Sequence, residues 1–141
     1  MTDSMLPRLT LERDEASAEF FDAAAAQKIS LRRCTGCDSY YAAEFPSCRA
    51  CGAIDATTAH AAGTATLVTW TVVERAPHPA FADVVPYLVG IVELSEGPWM
   101  CGRLLLIPDR ARPGMALRAE FRRSHDGETY PIFVPAGQPS E

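Results

Sequence analysis

The chain has 141 residues, 48% of them apolar and 22% charged, a composition typical of a domain-sized globular chain and not of a disordered or multi-domain protein. Its 13 basic and 18 acidic side chains give a net charge of −5, which disfavours phosphate-driven binding of nucleic acid. The longest apolar run, residues 84–92, is far shorter than a membrane span. Because the N-terminus also has no signal-peptide or transit-peptide pattern, we expect a cytoplasmic location and no membrane partner.

A helix is predicted over residues 14–28, within an N-terminal helical segment of residues 1–30. Acidic residues fill its first turn, alanines run through its second half and Lys28 stands at its end. Phe20 and Phe21 give it more apolar surface than a freestanding helix carries, so it should dock on the rest of this chain or on another protein. We therefore take Phe20 and Phe21 as candidate partner-surface residues.

Four of the five cysteines form two CxxC pairs separated by ten residues: Cys34, Cys37, Cys48 and Cys51. In a chain without a secretion signal the thiols stay reduced, so a tetrahedral metal site is favoured over disulfides. Each pair forms a knuckle that aims two thiolates at one ion, and two knuckles make a zinc ribbon, assigned to residues 31–55. Iron is the alternative metal, because all-sulfur tetrahedral geometry also suits it.

A site with four thiolate ligands has no open position for water, so the zinc is predicted to be structural and not catalytic. The segment around it is too short to bury a core without the ion. Arg32, Arg33 and Arg49 flank the ligands and either offset the negative charge of a zinc tetrathiolate or are ordinary solvated arginines. The fifth cysteine, Cys101, is predicted to be an inert buried thiol and not a nucleophile.

Residues 61–137 are predicted to form a β-domain that follows a small-residue connection over residues 53–62. Well-marked turns separate five predicted strands, at 63–73, 86–94, 99–107, 115–124 and 130–134. Five strands with no long helix among them favour a small closed barrel such as an OB-fold, with an open sandwich as the alternative. The predicted fold is therefore mainly β, with an N-terminal helix, a rubredoxin-like zinc ribbon and a five-stranded OB-fold barrel.

No motif of a nucleophile elbow, a nucleotide-binding loop or a zinc protease occurs, so no catalytic residue is assigned. His78 and Phe81 lie in a proline-flanked loop between the first two barrel strands, a place where small barrels carry binding function. Trp70, Tyr87 and Trp99 are interpreted as core or interface aromatics. The alternative for these three is a stacking platform for single-stranded nucleic acid.

The fourth barrel strand alternates apolar and charged residues, so its two faces can be assigned. Leu117, Ala119 and Phe121 should face the barrel interior. Their charged neighbours should face outward, and they are Arg118, Glu120 and Arg122, followed by Arg123 at the strand end. These arginines either hold an anionic ligand or form a solvated edge that discourages strand addition.

The order of these elements resembles that of the DUF35 family of zinc-ribbon and OB-fold proteins. The likeness runs from about residue 19 to residue 135, and it rests on the helix with its aromatic pair, both CxxC pairs and the runs 63–73, 86–94 and 130–135. Members of this family accompany thiolase-superfamily proteins as subunits of acyl-CoA thiolases, acyltransferases and aldolases. The catalytic residue of such complexes belongs to the partner.

The resemblance implies a subunit without catalytic residues of its own that docks on a thiolase-like protein as a hetero-oligomer. It would be obligatory to the complex and would help form the channel that binds a CoA thioester. The alternative is a stand-alone module that binds an acyl-CoA or single-stranded nucleic acid. Because the chain carries no hydratase-like extension, a fused dehydratase is not expected.

Overall fold

The computed structural model describes residues 6–137, so the first five residues of the predicted segment 1–30 lie outside the described part of the chain. One α-helix and eight strands follow one another within it. They are α1 (Ala18–Ala25), β1 (Ile29–Cys34), β2 (Tyr40–Ala42), β3 (Ala56–Ala61), β4 (Thr64–Val73), β5 (Tyr87–Leu94), β6 (Trp99–Leu104), β7 (Ala116–Arg123) and β8 (Thr129–Pro135). None of the helices in residues 6–137 is long and apolar enough to cross a bilayer.

The helix α1 is shorter at both ends than predicted. Before it, Ser17 N donates to Asp14 Oδ1 (2.8 Å) and Asp14 N donates to Ser17 Oγ (3.0 Å), which makes a turn of residues 14–17. After it, the chain turns through Gln27, which has a φ of +61°. Ala23 and Ala24 are buried, and α1 contacts β1 and β8. The alanine side of the helix thus docks on this chain.

The first sheet has the order β2-β1-β3 and is antiparallel throughout. Its third strand, β3, corrects the prediction that residues 53–62 are only a connection. Alanine and threonine give this segment a weak strand pattern, but all six residues of β3 pair with β1, from Ile29↔Ala61 to Cys34↔Ala56. Pairing with a neighbour therefore decides its conformation.

The remaining strands form a closed barrel in the order β4-β5-β6-β8-β7, which confirms the OB-fold and excludes the open sandwich. Antiparallel pairing of β7 with β4 closes one side. On the other side β6 meets β8 in parallel at Leu104↔Phe133, and Leu105 N donates to Phe133 O (2.9 Å). Large aliphatic residues and Phe133 fill the interior, among them Leu67, Leu88, Val92, Leu94, Leu104, Leu106 and Leu117.

The sequence analysis did not predict the segment we call the N-terminal strap, residues 6–13. It lies against the β7–β8 turn, where His125 N donates to Leu9 O (2.9 Å) and Glu128 N donates to Leu11 O (2.8 Å). At Gly127 a Cβ atom would lie 2.4 Å from Leu11 O, so only glycine admits the strap this close. Backbone hydrogen bonds therefore hold the strap against the β7–β8 turn of the barrel.

Candidate metal centre and ligand surfaces

The four paired cysteines converge on one point. Their Sγ atoms all lie within 4.8 Å of one another, and the Cys34–Cys51 and Cys37–Cys48 separations are both 3.6 Å. A zinc ion with Zn–S bonds of about 2.3 Å at the centre of a tetrahedron needs sulfur atoms roughly 3.8 Å apart. The donor set and the spacing therefore fit one zinc ion, which these four cysteines could hold.

Each knuckle is built so that backbone amides face its first sulfur. Gly36 N donates to Cys34 Sγ (3.3 Å) and Ala50 N donates to Cys48 Sγ (3.4 Å). Cys34 and Cys48 are 0% and 3% exposed, whereas the second cysteine of each pair is exposed. Amide donors of this kind favour the thiolate form, which is the form that ligates a metal.

The pKa values of the exposed cysteines Cys37 and Cys51 are shifted in opposite directions. The side chain and backbone of Ser39 hydrogen-bond to Cys37 Sγ and lower the pKa of Cys37 to about 6. For Cys51 the backbone N–H of Ala53 acts in the same direction, but the sulfurs of Cys34 and Cys37 outweigh it and raise the pKa to about 11. Clustered thiolates repel one another, so binding of a cation should release protons from this site.

The three arginines near the cysteines have other partners in the structure. Arg32 forms an ion pair with a carboxylate of α1, and Arg33 lies 3.6 Å from the Asp38 carboxylate. The guanidinium of Arg49 stands 4.7 Å from the centre of the Phe45 ring. Charge compensation of a metal tetrathiolate by these arginines remains a prediction.

A groove of about 710 Å³ lies where α1, the first sheet and β6 meet; we call it the inter-module groove. Phe20, Leu31 and Met100 contribute apolar surface, and three carboxylates line it, those of Glu15, Glu19 and Glu44. Trp99, 57% exposed, also lines it and is fixed by a hydrogen bond from Nε1 to Glu93 Oε2 (2.8 Å). Phe20 thus lies in the groove and packs edge-to-face on Phe21 with ring centres 5.3 Å apart.

Cys101 also lines the inter-module groove and is exposed, so the prediction of a buried thiol is wrong. On β6 it stands opposite Ile91, on the outward face that it shares with Trp99.

The three aromatic residues Trp70, Tyr87 and Trp99 do not form one stacking platform. Trp70 packs against the barrel core, while Tyr87 is 7% exposed beneath the Arg103 guanidinium.

The loop between β4 and β5 places His78 and Phe81 in structural roles. His78 is exposed, and its Nδ1 accepts a hydrogen bond from Ala80 N (3.0 Å), which caps the 3-10 helix Pro79–Phe81. This helix presents Phe81, whose ring stacks on Tyr87 with centres 5.3 Å apart and planes at 29°. Phe81 lines a second cavity, and His78 contributes to it indirectly by capping the helix that carries Phe81.

That cavity, which we call the barrel-side pocket, has a volume of about 280 Å³. The strap and the barrel form it together from Leu6, Pro7, Leu9, Leu11, Phe81, Tyr87, Val89, Arg103, Ser124 and Tyr130. Sequence reasoning missed Arg103. The available signal was a lone arginine within the apolar strand 99–107.

The β7 arginines are brought together, but around an acid. Glu120, predicted to face solvent, is only 9% exposed and forms ion pairs with Arg118 and with Arg122, the latter at 2.7 Å. Burial acts to raise the pKa of Glu120, but hydrogen bonds from Arg122 and Arg118 outweigh it and lower the pKa below its usual value. Leu117 and its interior neighbours pack on the core as predicted. An anionic ligand at these arginines and at exposed Arg123 remains a prediction.

Fold and site together define a zinc-ribbon type OB-fold protein, and comparison with known proteins identifies its family. Residues 58–122 match the family model described as ChsH2, C-terminal OB-fold domain. A solved structure named "Ltp2-ChsH2(DUF35) aldolase" is 34% identical to this chain, covers 92% of it and 99% of its own chain, and superimposes with a TM-score of 0.74. The chain belongs to the DUF35 family.

Two further proteins are similar to this chain, one in sequence and one in fold. A Thermomonospora curvata protein named "Probable enoyl-CoA hydratase alpha subunit" is 34% identical over 134 residues, which is 94% of this chain. The match spans only 41% of that protein's length. A DUF35 protein of unknown function from Sulfolobus solfataricus is 11% identical, with a TM-score of 0.59 over 86% of this chain and 85% of that one, and shows the fold alone.

Proposed function

We propose that this chain is the non-catalytic subunit of a complex with a thiolase-superfamily protein, where it helps form the channel for an acyl-CoA thioester. The observation that carries the proposal is the 34% identity along nearly the whole of both chains to the protein named as an Ltp2-ChsH2(DUF35) aldolase. Similarity of that extent supports a related role for the two chains. The reaction served is thiolysis, acyl transfer or aldol cleavage, carried out by residues of the partner.

The inter-module groove supports docking of a partner. It joins α1, the ribbon sheet and the barrel, so a protein seated in it would touch all three parts of the chain. Large exposed aromatic residues fixed in position are typical of the residues that dominate binding energy at interfaces, and Trp99 is one. Phe20 adds a second aromatic ring to the lining, from α1.

In this proposal the four cysteines hold zinc and serve structure. Four thiolates complete the tetrahedron and leave no position for a substrate or a water molecule. The bound ion would fix the two knuckles and the ends of β1 and β2, which border the groove through Arg32 and Ala42. Zinc would therefore maintain the shape of the docking surface.

The test of association is purification of the untagged protein from an extract of its own source. We expect it to elute together with a thiolase-superfamily chain, at a mass well above that of the free 15.3 kDa chain. Trp99→Ala should weaken this association. Ile54→Ala is the matched control, since Ile54 is 78% exposed but does not line the groove. Elution as a lone monomer would contradict the proposal.

The acyl-CoA part needs a separate measurement. Octanoyl-CoA is titrated into the complex, into the partner alone and into this chain alone, and the complex should bind it most tightly. If this chain alone binds octanoyl-CoA as tightly as the complex, the stand-alone module is the correct function. Binding of a thymidine oligonucleotide with a steep dependence on salt would instead indicate a nucleic-acid module.

A further inference from the structure

The barrel-side pocket combines apolar walls with one cation. Among the ten residues that line it, Arg103 is the one with a formal charge, and the others are aliphatic or aromatic apart from the hydroxyls of Ser124, Tyr87 and Tyr130. Ligand pockets commonly have this character, with mostly apolar walls and a few placed polar groups that orient the bound molecule. The pocket lies apart from the cysteines and shares no lining residue with the inter-module groove.

The walls of the pocket are fixed before any ligand arrives. The strap that forms one wall is held by the backbone hydrogen bonds at Leu9 and Leu11, and Leu11 N also donates to Ser124 Oγ (3.1 Å). Phe81 on another wall is held by its stack on Tyr87. A preformed cavity loses little conformational entropy when a ligand binds.

Arg103 supplies the orienting group. It lies on β6 opposite Val89, and its guanidinium is 4.5 Å from the centre of the Tyr87 ring. Burial lowers the pKa of Arg103, so this cation is partly removed from water. Hydrogen bonds between ionised partners are stronger in such surroundings, and a guanidinium can grip both oxygens of a carboxylate.

The volume sets the size of the ligand. At roughly 30 Å³ for each water-sized group, a cavity of 280 Å³ admits about nine non-hydrogen atoms. Hexanoate and octanoate bracket that size. We propose that the barrel-side pocket binds a medium-chain aliphatic monocarboxylate, with its carboxylate on Arg103 and its chain between the strap, Phe81 and Val89.

This site goes beyond the proposed function, because it needs neither the partner nor zinc chemistry. The 141-residue chain, loaded with zinc, is therefore titrated alone with sodium octanoate and followed by two-dimensional NMR of its backbone amides. We expect saturable shifts at Val89 and Arg103. Octanol, which has the same chain without the charge, should bind at least about tenfold more weakly.

Two variants locate the binding. Arg103→Gln should weaken octanoate by roughly tenfold or more and leave octanol unchanged, because only the carboxylate loses its partner. Val89→Phe should weaken both compounds, because it fills the cavity from β5. Arg110→Gln is the control, since it removes an exposed arginine that does not line the pocket. Thermal melting of each variant confirms that it is folded.

Three results would overturn the proposal. The first is that octanoate causes no saturable shift at Val89 or Arg103. The second is that octanol binds as tightly as octanoate. The third is that Arg103→Gln binds octanoate as tightly as the parent does. The second would make the pocket a non-selective apolar cavity, and the third would place the carboxylate elsewhere. None of the three bears on association with a thiolase-like protein, so this site and the proposed function can fail separately.

Discussion

Ile29 and Leu31, at the start of β1, are packed into the barrel core, whereas Cys34, at the end of the same strand, lies in a separate cluster with Tyr41 and Cys48. The barrel core contains buried residues from all five barrel strands, while the second cluster has three buried members. We call residues 34–53 the knuckle end. One sheet can therefore depend on hydrophobic burial at one end and on its cysteines at the other.

Loss of the barrel core should have the largest effect. Phe133 is fully buried, pairs with Leu104 across the parallel contact and leaves no space at Gly102, where a Cβ atom would lie 3.0 Å from its ring. Phe133→Ala should lower the free energy of unfolding by about 3 to 5 kcal/mol, measured by urea denaturation. Because β1 shares this core, the barrel and β1 should unfold in one transition, seen as loss of amide protection in both at the same urea concentration. Survival of β1 amide protection after the barrel unfolds would show that β1 does not depend on the barrel core.

Loss of a metal ligand should remove the knuckle end alone. Cys48→Ala, or a strong chelator, should abolish zinc binding and the hydrogen-exchange protection of the amides around Cys34, while Val92 in the barrel stays protected. Zinc content by atomic absorption and amide exchange by NMR provide the measurements. Cys101→Ala is the matched control and should retain the metal, since Cys101 lies outside the cluster. Unchanged zinc content in Cys48→Ala would exclude the metal site.

A smaller, local effect is expected at the strap. In Gly127→Ala the new methyl would collide with Leu11 O, so the strap should detach at an expected cost of roughly 2 to 3 kcal/mol. Limited proteolysis should then cleave near Leu9 while the barrel remains intact. Glu128→Gln removes only the exposed ion pair with Arg13 and should leave the strap resistant. Equal resistance of both variants would show that the close approach at Gly127 does not hold the strap.

The smallest effect concerns pH. The pKa of Glu120 in the folded chain lies below its unfolded value, so its ion pairs stabilise the fold above about pH 4.3, and this contribution is lost as the pH falls through the folded pKa. Glu120→Gln should lower stability by roughly 1 to 2 kcal/mol at pH 7. The difference from the parent should shrink toward pH 3 in thermal melts. A constant difference across that range would show that ionisation of Glu120 contributes nothing.

Much of the fold could be predicted because its signals are local. Strands such as 63–73 and 86–94 carry long β-branched and apolar runs, and the CxxC spacing defines a donor set without knowledge of the fold. The failures concern contacts distant in sequence. Nothing local distinguishes Cys101 from a buried cysteine, or β3 from a connection, because burial and pairing are decided by residues elsewhere in the chain.

The same limit applies to the candidate sites. The sequence placed His78 and Phe81 in a binding loop, and the structure adds the partners Tyr87 and Arg103 that make a pocket of it. Arg118 and Arg122 looked available for an anion, but Glu120 between them is drawn in as their counterion. Strand alternation predicts the face of a side chain but not its partner.

By itself the sequence determined the mainly β class, the set of four clustered cysteines and the DUF35 resemblance, because strand periodicity, cysteine spacing and element order can be read along the chain. Only the tertiary structure decided that β1 joins two cores, that the strap completes a pocket around Arg103 and that Trp99 stands exposed in a groove. Those features depend on which distant segments meet. These long-range contacts follow from barrel closure and packing, which cannot be read from any short segment of the sequence.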